Sequence, residues 1–261
     1  MIKQLLSFIG ETIPKKVPEV TIFFWVIKLL STALGESTSD YFVYQYNPYL
    51  VVTLGFLGFV VILLVQLLTR RYIPWVYWTT VVMVAVFGTM AADVTHIVLG
   101  IPYAVTTVIF SLTLALIFVL WRLSEKTLSV HSIVNRRREL FYWAVVSATF
   151  ALGTSAGDLT AYTLGLGFFV SGLLFAVIFA VPLLGNRWLG WNGVFSFWFA
   201  YILTRPLGAS FADWTGKSAA VGALGWGDGP VAIGLALAIA VLVSYLTISQ
   251  ADVDRTKSTA M

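Results

Sequence analysis

The chain has 261 residues, of which 59% are apolar and only 11% charged, with aromatics at 15% and a mean hydropathy of +0.90. A soluble domain carries about 25% charge, so too few charged residues remain to coat a globule; disorder, a basic nucleic-acid-binding domain and nearly every soluble enzyme are excluded. The net charge of +4 comes from 16 Lys and Arg set in short clusters between apolar runs, the pattern that orients a chain in a bilayer.

Taken in order, residues 1–20 place Lys15, Lys16 and two prolines where a cleavable signal peptide needs an unbroken apolar run. Ile2, Leu5, Leu6 and Ile9, with Lys3 and Gln4 polar, predict a short interfacial helix instead. Eight apolar stretches follow, each long enough to cross a hydrocarbon core of roughly 30 Å: 19–40, 49–68, 74–95, 101–121, 140–161, 168–186, 192–213 and 229–248. Thirteen basic residues fall before the first span or after the second, fourth, sixth and eighth; Lys217 stands alone on the other side, and Lys28 and Arg205 lie inside spans. Both termini are therefore expected in the cytoplasm. The basic connection 122–139 is the one long loop, expected as a cytoplasmic hinge between two halves of a single transmembrane domain. Cysteine is absent, which removes disulfides, thiolate metal sites and cysteine nucleophiles.

Internal similarity is the main signal. A Trp, a Gly ten residues on and an Asp five further occur four times: Trp25, Gly35, Asp40; Trp78, Gly88, Asp93; Trp143, Gly153, Asp158; and Trp198, Gly208, Asp213. An aromatic precedes each Trp: Phe24, Tyr77, Tyr142 and Phe197. The predicted fold is all-α integral membrane, with eight helices forming four two-helix repeats (19–68, 74–121, 140–186, 192–248) in two duplicated halves. Two spans per repeat make every motif helix cross in the same direction, and such parallel repeats are related by an axis near the membrane normal.

At 100° per residue, the positions 7, 11 and 15 after each Trp share a stripe about 80° wide with the Trp. That stripe holds Thr32, Glu36 and Asp40 on the first motif helix, Thr89 and Asp93 on the second, Thr154 and Asp158 on the third, and Arg205 and Asp213 on the fourth. Ionisable groups at this depth cost about 2.5–3.5 kcal/mol each, so the stripes should face an interior or a water-filled cavity. Asp40, Asp93, Asp158, Asp213 and Glu36 are the candidate cation ligands, and Lys28 and Arg205 the internal counter-charges; Ser155, Ser210 and His96 lie close enough in sequence to assist. Five carboxylates against two bases leave a surplus of negative charge too large to bury without a cation or protons. The glycines have two readings, a break in the helix beside each Asp as in transporters or close approach of neighbouring helices. The Trp quartet fits helix packing or an interfacial belt better than a ligand platform.

The segments Ala33-Leu-Gly-Glu-Ser-Thr-Ser-Asp40, Gly153-Thr-Ser-Ala-Gly-Asp158 with Leu164-Gly-Leu-Gly167, and Phe197-Trp-Phe-Ala-Tyr-Ile-Leu-Thr-Arg-Pro-Leu-Gly-Ala-Ser210 with Asp213 resemble a family of bacterial multi-pass inner-membrane proteins built from a tandem repeat of unknown function. The resemblance covers nearly the whole chain. It implies a protein of the bacterial inner membrane and, loosely, export of a metal such as manganese.

Oxygen-only ligands suit hard cations such as Mg²⁺, Ca²⁺, Mn²⁺, Na⁺ or H⁺. No nucleotide-binding glycine loop, zincin helix or nucleophile elbow is present. The expected function is a proton-coupled secondary transporter that needs no cofactor, with the transported cation, protons and the lipid bilayer as partners, no nucleic acid, and a homo-oligomer left open. An intramembrane aspartyl-type hydrolase, using paired carboxylates to activate water, and a non-transporting sensor or assembly protein are the alternatives.

Overall fold

The computed structural model describes residues 15–253; the expected interfacial helix near the start lies outside them. Among the described residues there are eight long helices and no strand: α1 (Ile22–Gln45), α2 (Pro48–Leu68), α3 (Pro74–Asp93), α4 (Tyr103–Glu125), α5 (Arg136–Asp158), α6 (Gly167–Trp188), α7 (Gly193–Gly216) and α8 (Asp228–Ser249). Six of them, α2 to α6 and α8, are long and apolar enough to cross a membrane; α1 and α7 match them in length but carry the internal charges.

Local chemistry sets the helix starts. Asn47 accepts hydrogen bonds from the N–H groups of Tyr49 and Leu50 while Pro48 opens α2 without needing its missing donor, and Asn192 caps α7 through Val194 and Phe195. Pro206 sits inside α7 without ending it.

The odd-numbered helices form the centre. α1 packs on α3, α3 on α5, α5 on α7, and α7 back on α1, closing a circuit. Each even-numbered helix lies outside, against the motif helix of the following repeat: α2 on α3, α4 on α5, α6 on α7, and α8 on α1. The outer helices expose apolar side chains such as Leu54, Leu112, Val177 and Leu237, as lipid-facing helices must.

The connection after α4 differs from the expected hinge. α4 continues to Glu125 and α5 begins at Arg136, because Arg137 and Arg138 pair with Glu125 across the gap and Asn135 caps α5. What remains carries a 3₁₀ turn (Val130–Ser132) and buries Val130 and Ile133, while Trp198 donates to the Leu128 carbonyl at 2.8 Å. A segment anchored this way is part of the packed base. Lys16, counted among the orienting charges, is fully buried; its Nζ donates to the carbonyls of Gln66, Leu67 and Thr69 at the end of α2 and pairs with Glu139 at 2.5 Å. Burial pulls its amine below the ordinary lysine value, against the pull of Glu139.

Candidate functional site

The inward faces of α1, α3, α5 and α7 stack in layers spaced four residues apart. The first is an aromatic belt. Phe24 meets Trp78 at 5.8 Å between ring centroids, Tyr77 meets Trp143 at 5.6 Å, Tyr142 meets Trp198 at 6.1 Å, and Phe197 meets Trp25 at 5.7 Å. The aromatic of each repeat thus packs on the Trp of the next, and the fourth returns to the first. Tyr77 and Tyr142 also share a hydroxyl hydrogen bond of 2.5 Å. The Trp quartet is packing.

Next come Lys28, Val81, Val146 and Tyr201, all buried. The Lys28 ammonium position has no hydrogen-bond partner; Nζ lies 3.9 Å from the centroid of Phe150 and 4.2 Å from that of Tyr201, a cation–π cage. Lys28 makes no ion pair with a carboxylate among the described residues, so it does not neutralise the Asp set directly.

The third layer is Thr32, Ala85, Phe150 and Arg205, and each is the seat of a neighbouring glycine. A Cβ on Gly35 would strike Ala85, on Gly88 would strike Phe150, on Gly153 would strike Arg205 and Pro206, and on Gly208 would strike Thr32. The helices run unbroken through all four glycines, so their purpose is close approach. Because each pair of neighbours touches in the same order at two depths, belt and glycine, the four helices run parallel.

Arg205 is fully buried. Its guanidinium donates to Glu36 Oε2 at 2.5 Å, to Thr154 Oγ1 at 2.7 Å, to Thr89 Oγ1, and to the Thr32 carbonyl at 3.2 Å. The fourth layer is Glu36, Thr89, Thr154 and Ala209, so one guanidinium from α7 holds a side chain from each of the other three motif helices. Thr32 Oγ1 completes the α1–α7 contact by donating to the Thr204 carbonyl at 3.0 Å.

The last layer is Asp40, Asp93, Asp158 and Asp213, all buried except the half-buried Asp93. Carboxylate oxygens of Glu36, Asp40 and Asp213 lie within 4.8 Å of one another. Asp93 and Asp158 share the layer with Asp40 and Asp213 and have no ion-pair partner among the described residues. Lys217, just past α7, donates to Asp40 Oδ2 and stands 3.8 Å from Asp213 Oδ1. Burial opposes the Lys217 charge, but Asp40 and Asp213 outweigh it and hold its amine above the ordinary value.

Directly after Asp93 and Asp158 the backbone widens into π-turns, Val94–Val98 and Leu159–Thr163, while α1 and α7 stay regular past their Asp. Single π-turns recur at functional sites because the extra residue re-aims neighbouring groups. His96 lies in the first, its Nδ1 2.8 Å from the Ile101 carbonyl and its ring stacked on Tyr103 at 3.6 Å; it is occupied there. Ser155 and Ser210 are buried, and the Ser210 hydroxyl makes no hydrogen bond. Sequence reasoning missed Lys217, whose signal was its place four residues after Asp213.

These features define an all-helical membrane protein whose inner helices gather carboxylates at one end of the bundle. The chain belongs to the family described as Repeat of Unknown Function (DUF347), whose model matches it four times, at residues 23–72, 76–127, 141–188 and 196–252. Each match spans one hairpin of motif helix and outer helix, as the internal repeat predicts. No curated protein and no solved structure matches the chain significantly.

Proposed function

We propose that this protein is a secondary transporter that moves a hard divalent cation out across the bacterial inner membrane in exchange for protons. The observation that carries the reading is the convergence of Glu36, Asp40 and Asp213 within 4.8 Å, in the same layer as Asp93 and Asp158, with Arg205 and Lys217 the bases that pair with the set among the described residues. A carboxylate set of that charge inside a bilayer needs a cation or protons. All-oxygen coordination favours Mn²⁺, Ca²⁺ or Mg²⁺.

In this reading all eight helices span the membrane, with both termini in the cytoplasm and the four repeats arranged about an axis near the membrane normal. The carboxylates then sit on the outer side. The aromatic belt, Lys28 and Arg205 form the barrier toward the cytoplasm, and transport requires the belt to part while the carboxylates lose access to the outside. Asp40, Asp93, Asp158 and Asp213 coordinate or relay, and Glu36 assists.

The test is flux in proteoliposomes against a panel of cations with a proton-sensitive dye, for the wild type and for Asp→Asn at each of the four positions. Cation flux with counter-movement of protons, sharply reduced in the variants, is expected. Wild-type flux in all four variants would sink the ion-site reading. Peptide or lipid hydrolysis without flux would move the protein to the enzyme class.

A further inference from the structure

Resting on the cation-site reading, one further step concerns how the site is kept between cargoes. We propose that Lys217 is a tethered stand-in for the transported cation, an ammonium seated on the carboxylates that a cation must displace to bind.

Lys217 Nζ bonds Asp40 Oδ2 and lies 3.8 Å from Asp213 Oδ1, and these are two of the three residues whose oxygens converge. Asp213 is 5% exposed, yet its Oδ1 accepts no hydrogen bond. A buried carboxylate oxygen left unbonded is costly unless a ligand completes it. The lysine satisfies the site only in part, reaching one carboxylate fully and the second at a distance.

The convergence of the oxygens is on the scale of a shared ion. Oxygens on opposite sides of Ca²⁺, at 2.3–2.6 Å each, stand about 4.6–5.2 Å apart, whereas those around Mg²⁺ stand about 4.2 Å apart at most. Three carboxylate oxygens within 4.8 Å of one another are on the scale that one such ion bridges. A divalent ion and an ammonium cannot share that space, so binding one expels the other.

The surroundings leave the side chain as the part free to move. The carbonyls of Trp214, Thr215, Gly216 and Lys217 each accept a hydrogen bond from the returning segment, from Leu224, Trp226, Gly227 and Gly225 respectively. The backbone around Lys217 is pinned, while its side chain is a flexible four-carbon stem with 16% exposure. Tyr44 offers the ammonium a ring at 5.0 Å. Displacement is a side-chain swing toward solvent, with no loop opening. Lysine occupies this register only in the fourth repeat, where the others have Tyr44, Ile97 and Tyr162.

The experiment is calorimetric titration of Mn²⁺, Ca²⁺ and Mg²⁺ into purified wild type, Lys217→Gln and Lys217→Arg, each with a thermal melt. Removal of the competitor in Lys217→Gln should tighten binding about tenfold or more, while Lys217→Arg stays at or below wild-type affinity. In the wild type, saturating cation should raise acylation of the Lys217 amine, read by mass spectrometry, which needs no variant to fold. Equal affinity in wild type and Lys217→Gln, or equal acylation with and without cation, overturns the stand-in role alone. No binding of any cation by any of the three proteins overturns the cation-site reading and this inference with it.

Discussion

Replacing Arg205 by Met removes the guanidinium that joins all four motif helices while keeping most of its apolar stem. What is left is Glu36, 4% exposed, with its cationic partner gone and only the 3.4 Å contact from Thr89. Breaking a buried ion pair from one side costs about 3–5 kcal/mol, because the survivor is an uncompensated charge. The neutral contacts add less: hydrogen bonds between transmembrane helices average about 0.6 kcal/mol each, so those to Thr154, Thr89 and the Thr32 carbonyl do not set the scale. At roughly 2–4 °C per kcal/mol for a chain of this size, Arg205→Met should melt about 6–20 °C below wild type. Adding Glu36→Gln removes the stranded charge, and the double variant should recover most of the loss, since exchanging a whole buried pair for neutral groups is close to neutral. The assay is thermal unfolding of the purified proteins in one detergent. An Arg205→Met protein melting within about 2 °C of wild type, or a double variant no better than the single one, would refute the assignment of Arg205 as a pair-dependent centre.

Three further outcomes follow from the packing. On α5, Gly153→Ala should destabilise by about 1–3 kcal/mol through overpacking against Arg205 and Pro206, whereas Gly157→Ala, whose new methyl would stand 3.9 Å from Pro206 Cα, should be neutral or gain up to about 1 kcal/mol of helix propensity; comparable melting temperatures for the two would count against close approach at Gly153. Glu139→Gln should destabilise the base by about 3–5 kcal/mol by stranding the buried Lys16 ammonium, visible as earlier proteolysis and a lower melting temperature, and an unchanged melt would show that the helix-end carbonyls alone hold that lysine. Because the chain has no cysteine, single cysteines at positions 45, 163 and 219 should label from outside the cell and those at the exposed positions 70 and 131 only after permeabilisation; the reverse pattern would overturn the charge-based orientation.

The eight helices and the polar stripe were legible in the sequence because both depend on local periodicity and on the cost of charge in lipid. The register was legible too: residues spaced like Thr32, Glu36 and Asp40 do share an inward face. Neighbour relations were not. A repeat shows which residues are equivalent, but not that Phe197 packs on Trp25, or that α8 covers α1 in place of its own hairpin partner. That closure is a tertiary fact with no local signature. Charge counting sorted two lysines by side but missed their burial for the same reason. Lys16 and Lys217 look like solvated loop charges in the sequence, and each is drawn inside by partners distant in the chain, Glu139 for one and Asp40 for the other. The π-turns after Asp93 and Asp158 were equally hidden, since Val94–Val98 and Leu159–Thr163 carry ordinary helix-compatible residues.

The closed circuit makes the order of synthesis matter. α1 is the first made of the described helices, and it holds Lys28, Glu36 and Asp40. The partner of Glu36 lies 169 residues downstream and that of Asp40 lies 177, while the outer helix that covers α1 is the last of the described helices. At 5–20 residues per second, α1 waits roughly 10–35 s for its counter-charges. Its composition falls short of a self-sufficient span, so during that interval the nascent chain has a resident that the bilayer alone does not welcome. A chain stopped before α7 keeps every apolar helix from α2 to α6 and loses both cations that neutralise the first one; it should be cleared by membrane proteases, whereas one stopped after α8 should persist. Quality control should therefore turn on α7 and Lys217, whose arrival decides whether α1 stays.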